Sequence, residues 1–449
     1  MPDKLGPAGK AMAEVYATAN VDIQLCVCMV GLPARGKTYI AEKVRRYLQW
    51  LSVPTKSFNV GNYRRKTNMP FPSAEFFNPA NPEGERARQQ AAQAAVDDMI
   101  SWFKDETHVV GVLDATNSTK QRRKWLKQTC DAHGIAVLFV ESVCDDEDLI
   151  MRNILEVKVS SPDYAGQDPE KASADFRERI KNYERAYEAI DVDGDEQSYT
   201  SVKMINGGNQ VMVNHVKHYL ESRIVHFLQN LHIKPRSIWL SRHGESQFNV
   251  EGKLGGDALL SDRGRQYSEM LPELVKKSTG GLQDLSVWTS TLRRTIATAK
   301  HLPFKKLEWK ALDELDAGIC DGLTYDDIER LHPEETKRDN DKFNYRYRGG
   351  ESYRDVVIRL EPIIMELERQ ENVMIVCHQA VLRCIYAYYH NIPQDELPYI
   401  NIPLHEVIKF TPKPYHTAEE RISSGISAVS THRPKPAKVK ALEIVENLK

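Results

Sequence analysis

One octapeptide limits what the first half of this chain can become: Gly31-Leu-Pro-Ala-Arg-Gly36-Lys37-Thr38. It fits G-x-x-x-x-G-K-[ST], and its surroundings fit too. The run 23–30 before it is apolar and β-branched, and 37–51 after it has helical periodicity. Phosphate oxygens need many N–H donors at short range, and glycine lets the backbone come close without a Cβ in the way. A helix starting at the loop points its N-terminus at the anion. In such a loop the lysine, here Lys37, reaches the outer phosphates, and the hydroxyl of Thr38 ligates Mg2+.

The rest of the pattern agrees with an α/β chain. From 21 to 232 strand-like runs at 109–113 and 136–140 alternate with helical patterns near 83–105, 118–132, 146–155 and 168–190. That alternation marks a mostly parallel sheet. After the break Ile233-Lys-Pro-Arg236 a second α/β series runs from 236 to 413. Its strands are 237–240, 285–288 and 373–376, and its helices 262–277, 291–300 and 351–369. Residues 1–20 read as a flexible leader and 414–449 as a flexible tail, both poor in periodicity.

Composition excludes several classes. The 61 basic and 63 acidic residues leave a net charge of -2. No overall field draws nucleic acid or an anionic membrane, so anion binding must come from local clusters. The longest apolar runs fall far short of a bilayer, and the N-terminus lacks the secretory pattern. Seven scattered cysteines without C-x-x-C spacing point away from disulfides and zinc and toward the reducing cytoplasm.

Two groups of residues carry chemistry. In the first half, Val109-Val-Gly-Val-Leu-Asp114 ends a strand in an acid of the kind that holds Mg2+ or its water. Thr116 and Asn117 follow at the same rim. Arg64, Arg65, Arg86, Arg88, Lys158, Arg177 and Arg179 have no obvious partner, and such residues are most often surface charges. In the second half, Ser241-Arg242-His243-Gly244-Glu245-Ser246 closes a strand. A neutral imidazole can take a phosphoryl group if cations stabilise the transferring oxygens. Arg242, Arg293 and Arg294 are candidates, and His378 follows another strand. Glu314, in Leu312-Asp-Glu-Leu-Asp-Ala-Gly318, is a candidate general acid to protonate a leaving alcohol. The joint order R-H-G-E-S, T-S-x-x-x-R-T, E-L-D-A-G, C-H-Q carries the signal.

Other features are set aside. Asp191-Val-Asp-Gly-Asp-Glu196 lacks the glycine and glutamate positions of a calcium loop and reads as a solvated turn. Lys435, Lys438 and Lys440 read as a solvated tail. Cys26, Cys28 and Cys377 read as small apolar residues in strands, and Cys144 as a thiol near the first site.

The chain resembles the 6-phosphofructo-2-kinase/fructose-2,6-bisphosphatase family over about 21–413. The likeness rests on the loop extended to Tyr39, on Phe58-Asn-Val-Gly-Asn-Tyr-Arg-Arg65, Asp114-Ala-Thr-Asn117, Val157-Lys-Val-Ser-Ser-Pro-Asp-Tyr164 and Tyr345-Arg-Tyr-Arg-Gly-Gly-Glu-Ser352. It implies a P-loop NTPase-like kinase domain at 21–232, then a histidine phosphatase, phosphoglycerate mutase-like α/β domain at 236–413. The kinase would move the γ-phosphoryl of ATP to the 2-hydroxyl of fructose 6-phosphate. Gly31, Ala34, Arg35, Gly36, Lys37, Thr38 and Tyr39 would hold ATP, with Thr38 and Asp114 at Mg2+ and Lys158 on the nucleotide phosphates. Arg64, Arg88, Thr116, Arg179 and Tyr183 would hold the sugar phosphate. The phosphatase would hydrolyse the 2-phosphate of fructose 2,6-bisphosphate through phosphohistidine at His243, with His378 supporting and Glu314 as acid. Arg242, Asn249, Arg294, Tyr325, Arg338, Lys342, Tyr353, Gln379 and Arg383 would bind that substrate. A homodimer through the kinase halves is implied. Cys320-Asp-Gly-Leu-Thr-Tyr325 departs from the animal pattern, and no Arg-Arg-x-Ser site stands in leader or tail. The alternative is a histidine phosphatase or mutase with a regulatory ATP-binding domain, or an ATP-sensing scaffold without turnover.

Overall fold

A computed structural model describes residues 23–66, 73–105, 107–155, 163–164, 168–232, 236–413 and 416–435. The leader, Lys158 and 436–449 lie outside the described residues. The chain divides into two compact units, Met1–Ile233 and Lys234–Lys449.

The first unit is built on a six-stranded sheet ordered β2-β3-β1-β4-β5-β6. The strands are β1 Leu25–Val30, β2 Thr55–Asn59, β3 Val110–Asp114, β4 Ala136–Val143, β5 Thr200–Ile205 and β6 Gln210–Asn214. All pairings are parallel except β5 with β6. Every residue of β1 is buried, because helices cover both faces of a parallel sheet. Cys26, Cys28, Phe58, Met99, Phe103, Leu113, Cys130 and Phe139 form one core. The chain leaves β1 toward β2 on one side and reaches β4 on the other. This reversal opens a crevice at the carboxyl ends of the strands, where the Gly31 loop stands.

The second unit has the sheet order β12-β11-β7-β10-β8-β9. Its strands are β7 Ser237–Arg242, β8 Ser286–Thr289, β9 Lys306–Glu308, β10 Asn372–Cys377, β11 Glu406–Pro412 and β12 Thr417–Ser423. The four strands β7 to β10 are parallel, and β11 and β12 are antiparallel additions. Register decides the chemistry here. Cys377 is paired with Arg242, so the next residues, His378 and His243, leave the sheet side by side.

The tail expectation is corrected for 416–435. Thr417–Ser423 is a strand against β11, and Ile422 and Ile426 pack on the second core. The edge strand is mostly exposed and charged, so it shows no apolar alternation. The acidic turn also differs from the sequence reading. Glu196 is buried and paired with Arg123 at 2.7 Å, while Asp191 accepts from Lys120 at 2.6 Å.

Candidate active sites

The first site grows from the end of β1. Gly31 has φ 131°, and a Cβ there would stand 2.4 Å from the Ser142 carbonyl oxygen, so only glycine fits. Ala34 and Gly36 also have positive φ, folding the loop back on itself. Several groups hold it from outside. The Gly31 N–H donates to Thr116 O at 2.9 Å, Asn153 donates to Ala34 O at 3.0 Å, and the Ser142 hydroxyl donates to Arg35 O. The helix Lys37–Trp50 begins at Gly36 without a side-chain cap, which leaves its first N–H groups facing the loop. The Lys37 ammonium donates to Leu32 O at 2.6 Å across the loop. Asp114 ends β3, is buried, and accepts from Asn59 at 2.5 Å. Asn117 is tied inward, donating to Met29 O at 2.8 Å. The hard oxygen donors Thr38 and Asp114 are of the kind that would hold Mg2+.

Beside this loop the arginines assemble. Arg64 (2.5 Å), Arg65 (3.3 Å) and Arg179 (3.4 Å) converge on the single carboxylate of Asp163. Burial pushes the Asp163 carboxyl up, but the three cations outweigh it and hold it below the usual range. Arg179 lies 3.7 Å and Arg64 5.3 Å from the centre of the Phe77 ring, and Tyr183 packs on the same ring. Arg88 donates to the neighbouring Phe76 carbonyl. Three cations around one anion call for a further anion.

Arg122, given no role from sequence, faces the same cluster. Burial first, with Arg88 adding to it, lowers its pKa, and Tyr183 lies among its neighbours. Its Nη1, like Nε of Arg179, is buried without a hydrogen-bond partner among the described residues. Cys144 packs beside Ala34, and burial raises its thiol pKa, which argues against a reactive thiolate.

The second site grows from the ends of β7 and β10. His243 and His378 have ring centres 5.2 Å apart. Nδ1 of His243 donates to Gly244 O at 2.7 Å, so the lone pair remains on Nε2, the nitrogen available for attack. His378 Nε2 meets the Ser290 hydroxyl at 2.7 Å, and its buried Nδ1 has no partner among the described residues. Burial first, then Arg294 and Arg242, hold the His243 pKa well below its ordinary value. The same burial and Arg294 act on His378. Both rings are therefore neutral at physiological pH, as a nucleophile must be.

Burial pulls the Arg242 guanidinium down to about 9, with Arg383 and Arg294 adding to it against Glu314. Glu314 accepts the N–H groups of Gln379 (3.1 Å) and Ala380 (3.2 Å) at the start of the helix Gln379–His390. Arg294 donates to Gly256 O at 2.5 Å, and Asn249 closes a turn on Ser246 at 3.0 Å. Beyond these lies a cluster of basic and tyrosine side chains. Arg383 donates to the Tyr353 hydroxyl at 2.8 Å, Arg338 faces Tyr347, and Lys342 faces Tyr399. Tyr325 is covered by Arg433, 3.3 Å from its ring centre. Sequence reading gave no role to Ser290, Thr431 or Arg433, although Ser290 lies inside the T-S-x-x-x-R-T pattern.

Comparison with known proteins separates the same halves. Residues 12–235 match the 6-phosphofructo-2-kinase family model, and 238–424 match the histidine phosphatase superfamily, branch 1. The 6-phosphofructo-2-kinase/fructose-2,6-bisphosphatase of Aquarana catesbeiana is 49% identical, over 92% of this chain and 87% of its own. The chain belongs to the 6-phosphofructo-2-kinase/fructose-2,6-bisphosphatase family. Isoform 4 of Homo sapiens is 47% identical, over 92% of this chain and 88% of its own. The fructose-2,6-bisphosphatase of Saccharomyces cerevisiae is 56% identical, over 92% of each chain. Like the bifunctional members of the 6-phosphofructo-2-kinase/fructose-2,6-bisphosphatase family, this chain holds a kinase domain and a histidine phosphatase domain in one polypeptide.

Proposed function

We propose that the first unit makes fructose 2,6-bisphosphate from ATP and fructose 6-phosphate and the second hydrolyses it at the 2-phosphate. The observation that supports this reading is a phosphate-loop geometry at Gly31 and a histidine pair at His243–His378 in one chain. In the kinase, the loop N–H groups with Arg35 and Tyr39 hold the nucleotide, and Lys37 and Lys158 meet its phosphates. Arg64, Arg88, Arg122, Arg179 and Tyr183 fix the sugar phosphate, with Thr116 at the rim. Thr38 and Asp114 would hold Mg2+, which would supply charge neutralisation to the nucleotide phosphates. Positioning does most of the work in a loose phosphoryl-transfer transition state.

In the phosphatase, Nε2 of His243 attacks the 2-phosphate while Arg242, Arg294, Asn249 and His378 bear the developing charge. Glu314 gives a proton to the departing 2-hydroxyl, and water then releases phosphate from the histidine. Tyr325, Arg338, Lys342, Tyr353, Gln379 and Arg383 hold the sugar and its 6-phosphate. Such a pair would set glycolysis against gluconeogenesis.

We place the enzyme in the cytoplasm, a reading supported by seven cysteines that all lack disulfide bonds. No helix of the described residues is long and apolar enough to cross a membrane. A homodimer through the first unit is supported by the exposed edge strand β6. A second reading, a phosphatase whose kinase half is silent, is favoured by the name of the Saccharomyces cerevisiae relative, which gives the bisphosphatase alone. One experiment separates them. The full chain is incubated with Mg-ATP and fructose 6-phosphate, and formation and loss of the 2,6-bisphosphate are followed. Formation followed by loss is expected; loss of added bisphosphate without any formation would establish the second reading.

A further inference from the structure

The segment that follows β12 ends in the phosphatase site. Ser424 N donates to the His405 carbonyl at 3.2 Å. Val429 N donates to Glu245 Oε2 at 2.9 Å, and Glu245 N donates to His405 Nε2 at 2.9 Å. Glu245 is fully buried, two residues past the nucleophile, and also accepts from Ser261 and Arg263. Farther along, Arg433 covers Tyr325, and Lys435 donates to Asp395 (3.1 Å) and Glu396 (3.0 Å). Between these anchors the Thr431 hydroxyl accepts from Arg242 Nη1 at 2.7 Å. The other acceptor for that Nη1 is the Ile402 carbonyl at 3.0 Å.

A guanidinium has five N–H groups in a rigid plane. Two acceptors on Nη1 fix that plane and leave the Nε–Nη2 edge, the fork that meets two phosphate oxygens at once. Nε of Arg242 is indeed buried without a partner among the described residues. We propose that Thr431 is a positioning residue for the phosphatase, aiming the Arg242 fork at the transferring phosphoryl group, and that the stitched segment 424–435 is a built part of that site. The inference rests on the reading of Arg242 as a phosphoryl ligand.

The test uses the full chain and rapid-quench measurement of phosphohistidine formed from fructose 2,6-bisphosphate. Thr431→Val keeps the shape and removes the acceptor, while Thr431→Ser keeps the acceptor. The valine variant should form phosphohistidine about tenfold more slowly, the effect of one hydrogen bond to a charged group. The serine variant should stay within about twofold of the parent, because its hydroxyl still accepts. In an Arg242→Lys background, which lacks the planar fork, Thr431→Val should add little further loss. Thr431→Ala, with a melting curve, replaces valine if valine disturbs packing. Parental rates in both Thr431→Val and Thr431→Ala, equal slowing by serine and valine, or an undiminished valine effect in the Arg242→Lys background would each overturn the proposal. Unchanged hydrolysis in Arg242→Lys and Arg242→Ala would instead remove Arg242 from the site reading itself.

Discussion

Lys342 is buried beside Arg338 and Arg383, and burial first, then those two cations, lower its pKa to about 6. At neutral pH its amine is therefore largely uncharged before substrate arrives. A phosphate dianion in the pocket favours the ammonium and raises that pKa. Above pH 6, binding must then draw a proton from solution, and affinity falls as pH rises. Calorimetry of the bisphosphate with His243→Ala, in two buffers of different ionisation enthalpy at about pH 7.5, should show more proton uptake when Lys342 is present than in the additional Lys342→Met variant. Equal uptake in both would rule out this role for Lys342. At this scale the sequence was informative where chemistry is contiguous: Gly31 to Thr38 and Arg242 to Glu245 announce themselves. Arg122, Ser290 and Thr431 did not, because the groups each one meets lie far from it along the chain.

Among elements, β6 presents the clearest liability. Within the described residues it pairs with β5 alone, and Met212 and Val213 are 48% and 44% exposed. An uncovered edge carrying apolar side chains invites another strand. If a second copy covers it, Met212→Lys with Val213→Lys should convert a dimer to a monomer in sedimentation, without loss of helix or strand signal. A dimer that survives both lysines would place the interface elsewhere. The elements legible from sequence were those with continuous buried runs, such as β1, β3, β4 and β10. The short or half-exposed strands β2, β5, β6 and β12 were not, since their burial depends on neighbours rather than on their own pattern. β12 in particular hides its pairing behind Glu419, Glu420 and Arg421, charges suited to an edge.

For the molecule as a whole, the division into two units predicts separable losses. Lys37→Met should abolish synthesis of the bisphosphate and leave its hydrolysis, and His243→Ala should do the reverse. Assays of both reactions on each variant check this; loss of both from either change would show that the sites are not independent. The two-domain α/β plan could be read before any coordinates, because each half carries its own strand-end motif. What could not be read was which strands lie beside which. Pairing of β7 with β10 brings His378 to His243 across 135 positions of chain, and no local pattern records a register.

On the mechanism proposed above, the His243 ring would also fix the kind of adduct the enzyme makes. With Nδ1 committed to its neighbour's carbonyl, the phosphoramidate has to form on the imidazole nitrogen remote from the main chain. Of the two phosphohistidine isomers, only that one is compatible with the fold, and a reagent or antibody selective for the other would pass the intermediate by.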